Sequence, residues 1–302
     1  MKYLLSAALC TAMLSACSSE ENVQESALRV PLEVSVGSNA VRSIIEGTTI
    51  PTQTSFGIFG VPAYSPNAAI IEDINNVQVF YDGKCTLKKD VWLDEKNIYL
   101  HAYYPYNKNQ QGFIINVDYT DQTDYLCGRS VLAGEPYCVN NQHPKADIQF
   151  AHVLSRITLK IKRTDKVKEN FKLAMAGFEP FYESAQLDVL TGTWSEQKES
   201  GYPYTTFQVF PMSMEVTNEY HSVDFLLIPG IHSDVVTLRL YKSVYDYDTC
   251  TLMKVNWKAG QQYTYEVVFD ENGINVSEAV ITPWETTTES EITVTDDDLE
   301  TE

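Results

Sequence analysis

With 302 residues the chain is long enough for two domains, and its 19 Tyr, 12 Phe and 4 Trp can furnish sizeable cores. A formal net charge of −19 argues against nucleic acid as a partner, because phosphates would be repelled. Beyond the amino terminus no segment carries the ~20 apolar residues that a membrane-spanning helix needs.

Lys2 precedes an apolar run from Tyr3 to Leu14, which closes on Leu14-Ser15-Ala16-Cys17. A basic residue, a short apolar stretch and small residues before a cut are the parts of a secretory signal. The run is too short to span a bilayer as a helix. It is similar to bacterial lipoprotein signals, which implies removal of residues 1–16 and lipidation of Cys17 on its thiol and its new amino group. One acyl chain binds a membrane only marginally, at about 0.8 kcal/mol per buried CH₂, whereas three hold firmly. Residues 17–29 read as a polar tether, with Ser18, Ser19, Glu20 and Glu21 following the cysteine.

From there the apolar period is two. Val30, Leu32, Val34 and Val36 alternate with Pro31, Glu33 and Ser35. The same alternation places Ile157, Leu159 and Ile161 on one face, then Val236, Leu238 and Leu240, then Tyr263, Tyr265, Val267 and Phe269. Asp270-Glu271-Asn272-Gly273 predicts a tight hairpin, with Asn-Gly supplying positive φ. Helical periodicity is scarce, and only stretches such as Lys166–Phe171 could form a turn or two. The pattern predicts an all-β chain of two antiparallel β-sandwich domains in tandem, 30–145 and 146–302, divided at the loop Asn140–Lys145. Residues 285–302 hold eight carboxylates and no Lys or Arg; such a tail is either a solvated end or an exchanged strand.

Five blocks, in order, carry a resemblance across nearly the whole chain. They are the box at Cys17, the strand Val30–Val36 with Arg42 shortly after, and Ile98-Tyr99-Leu100-His101-Ala102-Tyr103-Tyr104-Pro105-Tyr106. Then come Ile148-Gln149-Phe150-Ala151-His152-Val153-Leu154-Ser155-Arg156-Ile157, and Ala259-Gly260-Gln261-Gln262-Tyr263 leading to Val280-Ile281-Thr282-Pro283-Trp284. The chain resembles the fimbrillins, the type V pilins of gut and oral Gram-negative anaerobes. The resemblance implies two sandwiches of transthyretin-like, Greek-key topology and an outer-membrane lipoprotein precursor at the cell surface. A protease of trypsin-like specificity would cut after an Arg beyond the first strand. The vacated groove would then take a strand from a neighbouring pilin subunit, and a fimbria would grow for adhesion to a host or bacterial surface receptor.

Arg42, with Ser43 as the new amino terminus, matches the family's cut site; Arg29 is the alternative, but a cut there leaves the strand attached. Val30, Leu32, Val34 and Val36 would be the removable strand, contributing about 6–12 kcal/mol gross if all four were buried. An exposed edge recruits other strands, and head-to-tail contact propagates a filament. Ile292 and Val294, in Glu291-Ile292-Thr293-Val294-Thr295, are the candidate donor residues. The subunit could be a stalk, an anchor or a tip. A second reading is an anchored surface lipoprotein that captures a glycan or a protein and does not polymerise.

Enzyme chemistry lacks motif support. The five histidines, His101, His143, His152, His221 and His232, show no metal-ligand spacing. No nucleophile elbow, phosphate loop or cofactor motif is present, so no catalytic residue, metal or cofactor is expected. Four cysteines follow the lipid site: Cys85, Cys127, Cys138 and Cys250. They allow three complete pairings, and Cys127 with Cys138 is the candidate disulfide clasp. His152, the Tyr103–Tyr106 cluster, Trp194, Trp257 and Trp284 read as packing residues.

Overall fold

A computed structural model describes residues 28–36, 50–63, 69–118, 122–199, 209–230, 235–253 and 255–284. Among these residues the chain is β throughout, with one 3₁₀ turn at Glu72–Ile74 and no α-helix. Lys166–Phe171 forms no helix. A single turn there has the Val167 N–H donating to the Thr164 carbonyl at 3.1 Å, and Phe171 already opens the strand Phe171–Glu179.

The first body is a curled sheet. Its neighbours run Glu33–Val36, Lys145–His152, Leu126–Leu132, Ile98–Tyr104, Thr54–Pro62, Val77–Tyr81, Cys85–Leu87. The central strands bury both faces, as Thr54–Pro62 shows from Phe56 to Val61. One face packs Phe56, Ile58, Leu100, Ala102, Leu126, Ile148 and Phe150 into a core that begins at Leu32. The alternate residues Phe59, Tyr103 and Cys127 turn the other way and join a second core. A period of two sends neighbouring residues to opposite faces, so one sheet serves two cores.

Most of that second core comes from the span Val153 to Trp284, with Ile115 and Val117 added from the first half. It lies among three sheets: His221–Leu227, Ser155–Arg163, Gln261–Asp270 and Gly273–Val276 in one; Val209–Val216, Phe171–Glu179, Val235–Ser243 and Asp246–Met253 in another; Thr193–Glu199, Tyr182–Asp188 and Ile114–Asp118 in the third. Ile157, Leu159, Ile161, Val236, Leu238, Leu240 and Val267 are each 0% exposed, on the faces their alternation assigns. Pairing among the described strands is antiparallel except twice: Ser155–Arg163 with Gln261–Asp270, and Lys145–His152 with Glu33–Val36.

The chain passes between the two bodies later than Asn140–Lys145. Lys145–His152 is a strand of the first sheet, and the crossover comes at Val153–Leu154. Ile114–Asp118, from the first half, pairs with Tyr182–Asp188 from the second. The hairpin after Phe269 forms with Asp270 opposite Gly273. Gly273 alone carries positive φ, at 122°, and the Asp270 carboxylate accepts the Asn272 N–H at 2.7 Å, so Asn272 needs no left-handed backbone.

The Cys127–Cys138 clasp is not formed. Cys85, Cys127, Cys138 and Cys250 are free thiols. Cys127 stands opposite Tyr103 and Cys138 opposite Tyr99, along one strand. Four positions at ~3.3 Å each is about 13 Å, beyond the ~7 Å that a disulfide tolerates between Cα atoms. Burial, with Asp147 beside it, pushes the Cys85 thiol up to about 11; burial, with Asp188 and Asp248 respectively, pushes Cys127 and Cys250 up to about 12. Each folded value exceeds the usual one, so folding favours the neutral thiol. That contribution is whole below the unfolded value of 9.0 and is lost as pH rises through about 11 to 12. Urea midpoints should therefore hold from neutral pH to about pH 9 and fall above it, and triple replacement of these thiols by Ala should flatten that fall.

Candidate functional site

The first strand lies in a seam. Val30 and Pro31 pair antiparallel with Leu93 and Trp92. At Leu32 the backbone changes partners: its N–H donates to the Val91 carbonyl at 2.9 Å, and the next N–H, of Glu33, donates to the Pro144 carbonyl at 2.9 Å. Glu33 to Val36 then run parallel to Lys145–Ile148. The segment also lies against Cys85–Leu87, the strand at the opposite end of the same sheet. The curled sheet thus nearly closes, and residues 30–36 fill the gap between its ends.

Side chains follow the alternation. Leu32 is 5% exposed and belongs to the first core. Val30, Val34 and Val36 are half-buried against the same core, while Pro31, Glu33 and Ser35 face out. Only Leu32 is fully buried, so the gross apolar contribution is about 4–7 kcal/mol rather than 6–12. Polar ties are few. The Ser35 hydroxyl reaches the Ala146 carbonyl at 3.3 Å and Asp147 Oδ1 at 3.2 Å. The Asn141 amide donates to the Leu28 carbonyl at 2.8 Å. Lys145 and Glu33 meet at 3.5 Å on the surface, where such a pair contributes little. Pro31 lacks an N–H, which suits a seam position with sparse ladder bonds.

Arg29 is exposed just before the strand. Cys17, Arg42, Ser43, Ile292, Val294 and His232 lie outside the described residues. The seam walls Val91–Leu93 and Pro144 were not singled out by sequence. They belong to no motif and lie some 60 and 110 positions from the strand they hold.

At the far end of Lys145–His152 a polar pair is buried. His152 Nδ1 and Asp124 Oδ1 are 3.2 Å apart, with side chains 0% and 1% exposed. The His152 ring stacks on Trp284, centroids 3.8 Å apart and planes 9° apart. Gly260, at φ 68°, would put a Cβ 3.3 Å from the His152 carbonyl, so this close approach needs glycine. Trp257 is 0% exposed and donates to the Tyr265 hydroxyl at 3.1 Å. Trp194 donates to the Val153 carbonyl at 2.7 Å. Burial, outweighing the pull of Asp188, lowers the His101 pKa. His143 and His221 are exposed. Among the described residues no three His, Cys, Asp or Glu side chains converge as metal ligands.

A family model described as fimbrillin-like matches residues 42–284. The chain belongs to the fimbrillin-like family. Solved structures share the fold of this fimbrillin-like chain at low identity. A "putative cell adhesion protein" from Bacteroides ovatus ATCC 8483 aligns with TM-score 0.61 and 19% identity, over 85% of this chain and 98% of that one. Another so described, from Bacteroides uniformis ATCC 8492, gives 0.58 and 16%, over 85% and 99%. A fimbrial protein from Bacteroides vulgatus ATCC 8482 gives 0.52 and 14%, over 84% and 99%. No curated protein matches the sequence.

Proposed function

We propose that this chain is a structural, non-enzymatic subunit of a surface fimbria, matured by a cut after Arg42 and polymerised by strand exchange, with adhesion as its purpose. The observation that carries the reading is the seating of residues 30–36 in the seam between the two ends of one sheet. A strand so placed can leave without unthreading another. Its departure bares the edges at Lys145–Ile148 and at Val91–Leu93, and the apolar site of Leu32 between them. Bare edges and an apolar slot recruit an alternating strand from another copy. The family match begins at Arg42 and ends before residue 285, leaving out the plug and the acidic end, the two pieces exchanged in this reading. Ile292 and Val294 would be the inserted residues of the donor, and lipid at Cys17 would hold the precursor at the outer membrane until the cut.

Mild trypsin treatment of the chain starting at Ser18 tests this. The expected result is a core beginning at Ser43, release of the peptide ending at Arg42, and slow growth of ladders that resist mild denaturation. Arg42→Ala should stay monomeric. Polymers from that variant would overturn the cut-site assignment, and a trimmed but permanently monomeric wild type would overturn polymerisation by exchange.

A further inference from the structure

Away from the seam, a cleft of about 560 Å³ opens where the chain leaves Ile98–Tyr104 and turns into Ile114–Asp118. Among the described residues no charged side chain lines it, although the protein carries a net −19. Its wall instead offers half-buried Tyr106 and Tyr125 and the exposed side chains of Asn109, Gln111 and Asn116. A second hollow of about 470 Å³ adjoins it; Tyr106, Gln110 and Gln111 line both, and the exposed Lys108 is the one charged residue among the described lining of the second.

The loop between them is held in shape before any ligand arrives. The Tyr103 hydroxyl donates to Asn76 Oδ1 at 2.7 Å and accepts the Asn107 N–H at 3.1 Å. The Asn76 amide donates to the carbonyls of Asn107, at 3.0 Å, and Gln110, at 3.1 Å. The Gln110 amide donates to the Ile114 carbonyl at 2.7 Å, and the Tyr106 N–H to the Ser55 carbonyl at 3.0 Å. Gly57 makes room for this arrangement, since a Cβ there would come within 2.1 Å of the Tyr103 ring. Burial pushes the Tyr103 phenol up to about 12, so its hydroxyl keeps its proton across the working range of pH. A rigid loop spares the ordering cost that a mobile one would impose on binding.

We propose that this cleft binds a neutral oligosaccharide, with Tyr106 stacked on one ring and the Asn and Gln amides bonding its hydroxyls. Each amide presents a donor and an acceptor, matching the two roles of a sugar hydroxyl. The volume falls within the roughly 300–1,000 Å³ of small-molecule sites, and two hollows joined at Tyr106 suit a chain of more than one ring. A polyanionic sugar is disfavoured by the protein's field. A peptide would instead have to add to the edge strand Ile114–Asp118, where the amides would contribute no side-chain pockets. The cleft lies at the Tyr104 end of its strand, level with Leu126 and His152, whereas the plug lies level with Lys145–Ile148. The cleft is therefore separate from the seat of residues 30–36.

The test uses the purified full-length protein with maltotriose, cellotriose and triacetylchitotriose, followed by saturation-transfer NMR and calorimetric titration up to about 10 mM. At least one should bind with Kd in the millimolar range or tighter. Tyr106→Ala should weaken that binding about tenfold or more, and Gln111→Ala about threefold, while Tyr106→Phe retains it. Should Tyr106→Ala not fold, Gln111→Ala against Tyr106→Phe decides. Absence of binding by all three sugars overturns the proposal. So does binding that neither Tyr106→Ala nor Gln111→Ala weakens, or binding only of an uncharged Thr/Val peptide run as control.

Discussion

Replacing Leu32 by Asp is expected to eject the first strand while the second core stays folded. The side chain is 5% exposed in an apolar cluster, and an unpaired carboxylate there costs several kcal/mol. That cost matches or exceeds the whole gross contribution of the segment, about 4–7 kcal/mol. Leu32→Ala should act in the same direction at about 2–5 kcal/mol, set by the cavity it leaves. Hydrogen exchange provides the measurement. In Leu32→Asp, amides of residues 32–36 should lose protection, while those of Leu159 and Leu238 keep theirs. Native protection of residues 32–36 in Leu32→Asp would mean that the strand is held by something other than its apolar face.

Trp284→Ala should be the costliest change at the end of the described chain, and Trp284→Phe among the cheapest. Trp284 is 1% exposed and stacks on His152, which in turn meets Asp124. Deleting the indole removes a large buried surface and one face of that stack, at about 3–5 kcal/mol. For a body of this size the melting temperature should fall by about 10 °C. The indole Nε1 has no acceptor among the described residues. Phe keeps the ring over His152 and removes a desolvated donor, so its cost should stay below about 1.5 kcal/mol. Thermal melts followed by near-UV circular dichroism separate the two variants. Equal losses would show that the indole nitrogen, not the ring face, stabilises this junction.

The stretches best read from sequence are those whose signal is local. Ile157–Ile161, Val236–Leu240 and Tyr263–Phe269 show their period of two directly, and each buries the face it marks. Residues 30–36 show it equally well, and they do alternate in burial. The sheet that Lys145–His152 joins is not legible in its pattern, which is that of any half-buried strand. Which sheet it joins depends on Leu126–Leu132 and on Glu33–Val36, the latter more than 100 positions away. The Cys127–Cys138 pairing failed for a related reason. Closeness in sequence says nothing about register, and the register along Ile98–Tyr104 holds the two thiols apart. His152 was legible as a packing residue, but its partner Asp124 stands in no motif and was found only through the fold.

Alternation of apolar and polar residues, with the recurring turn residues between, was enough to determine an all-β chain and to mark which side of each strand is apolar. That information resides in single segments, because the two-residue repeat of a strand is a property of its own backbone. The tertiary structure alone decided that the first strand runs parallel to Lys145–Ile148 and fills the gap between the two ends of one sheet. It alone decided that this sheet serves two cores and that a cleft walled by Tyr, Asn and Gln side chains opens beside Tyr106. Those outcomes depend on which distant edges meet, and meeting is set by the total burial of many strands at once rather than by the pattern within any one of them.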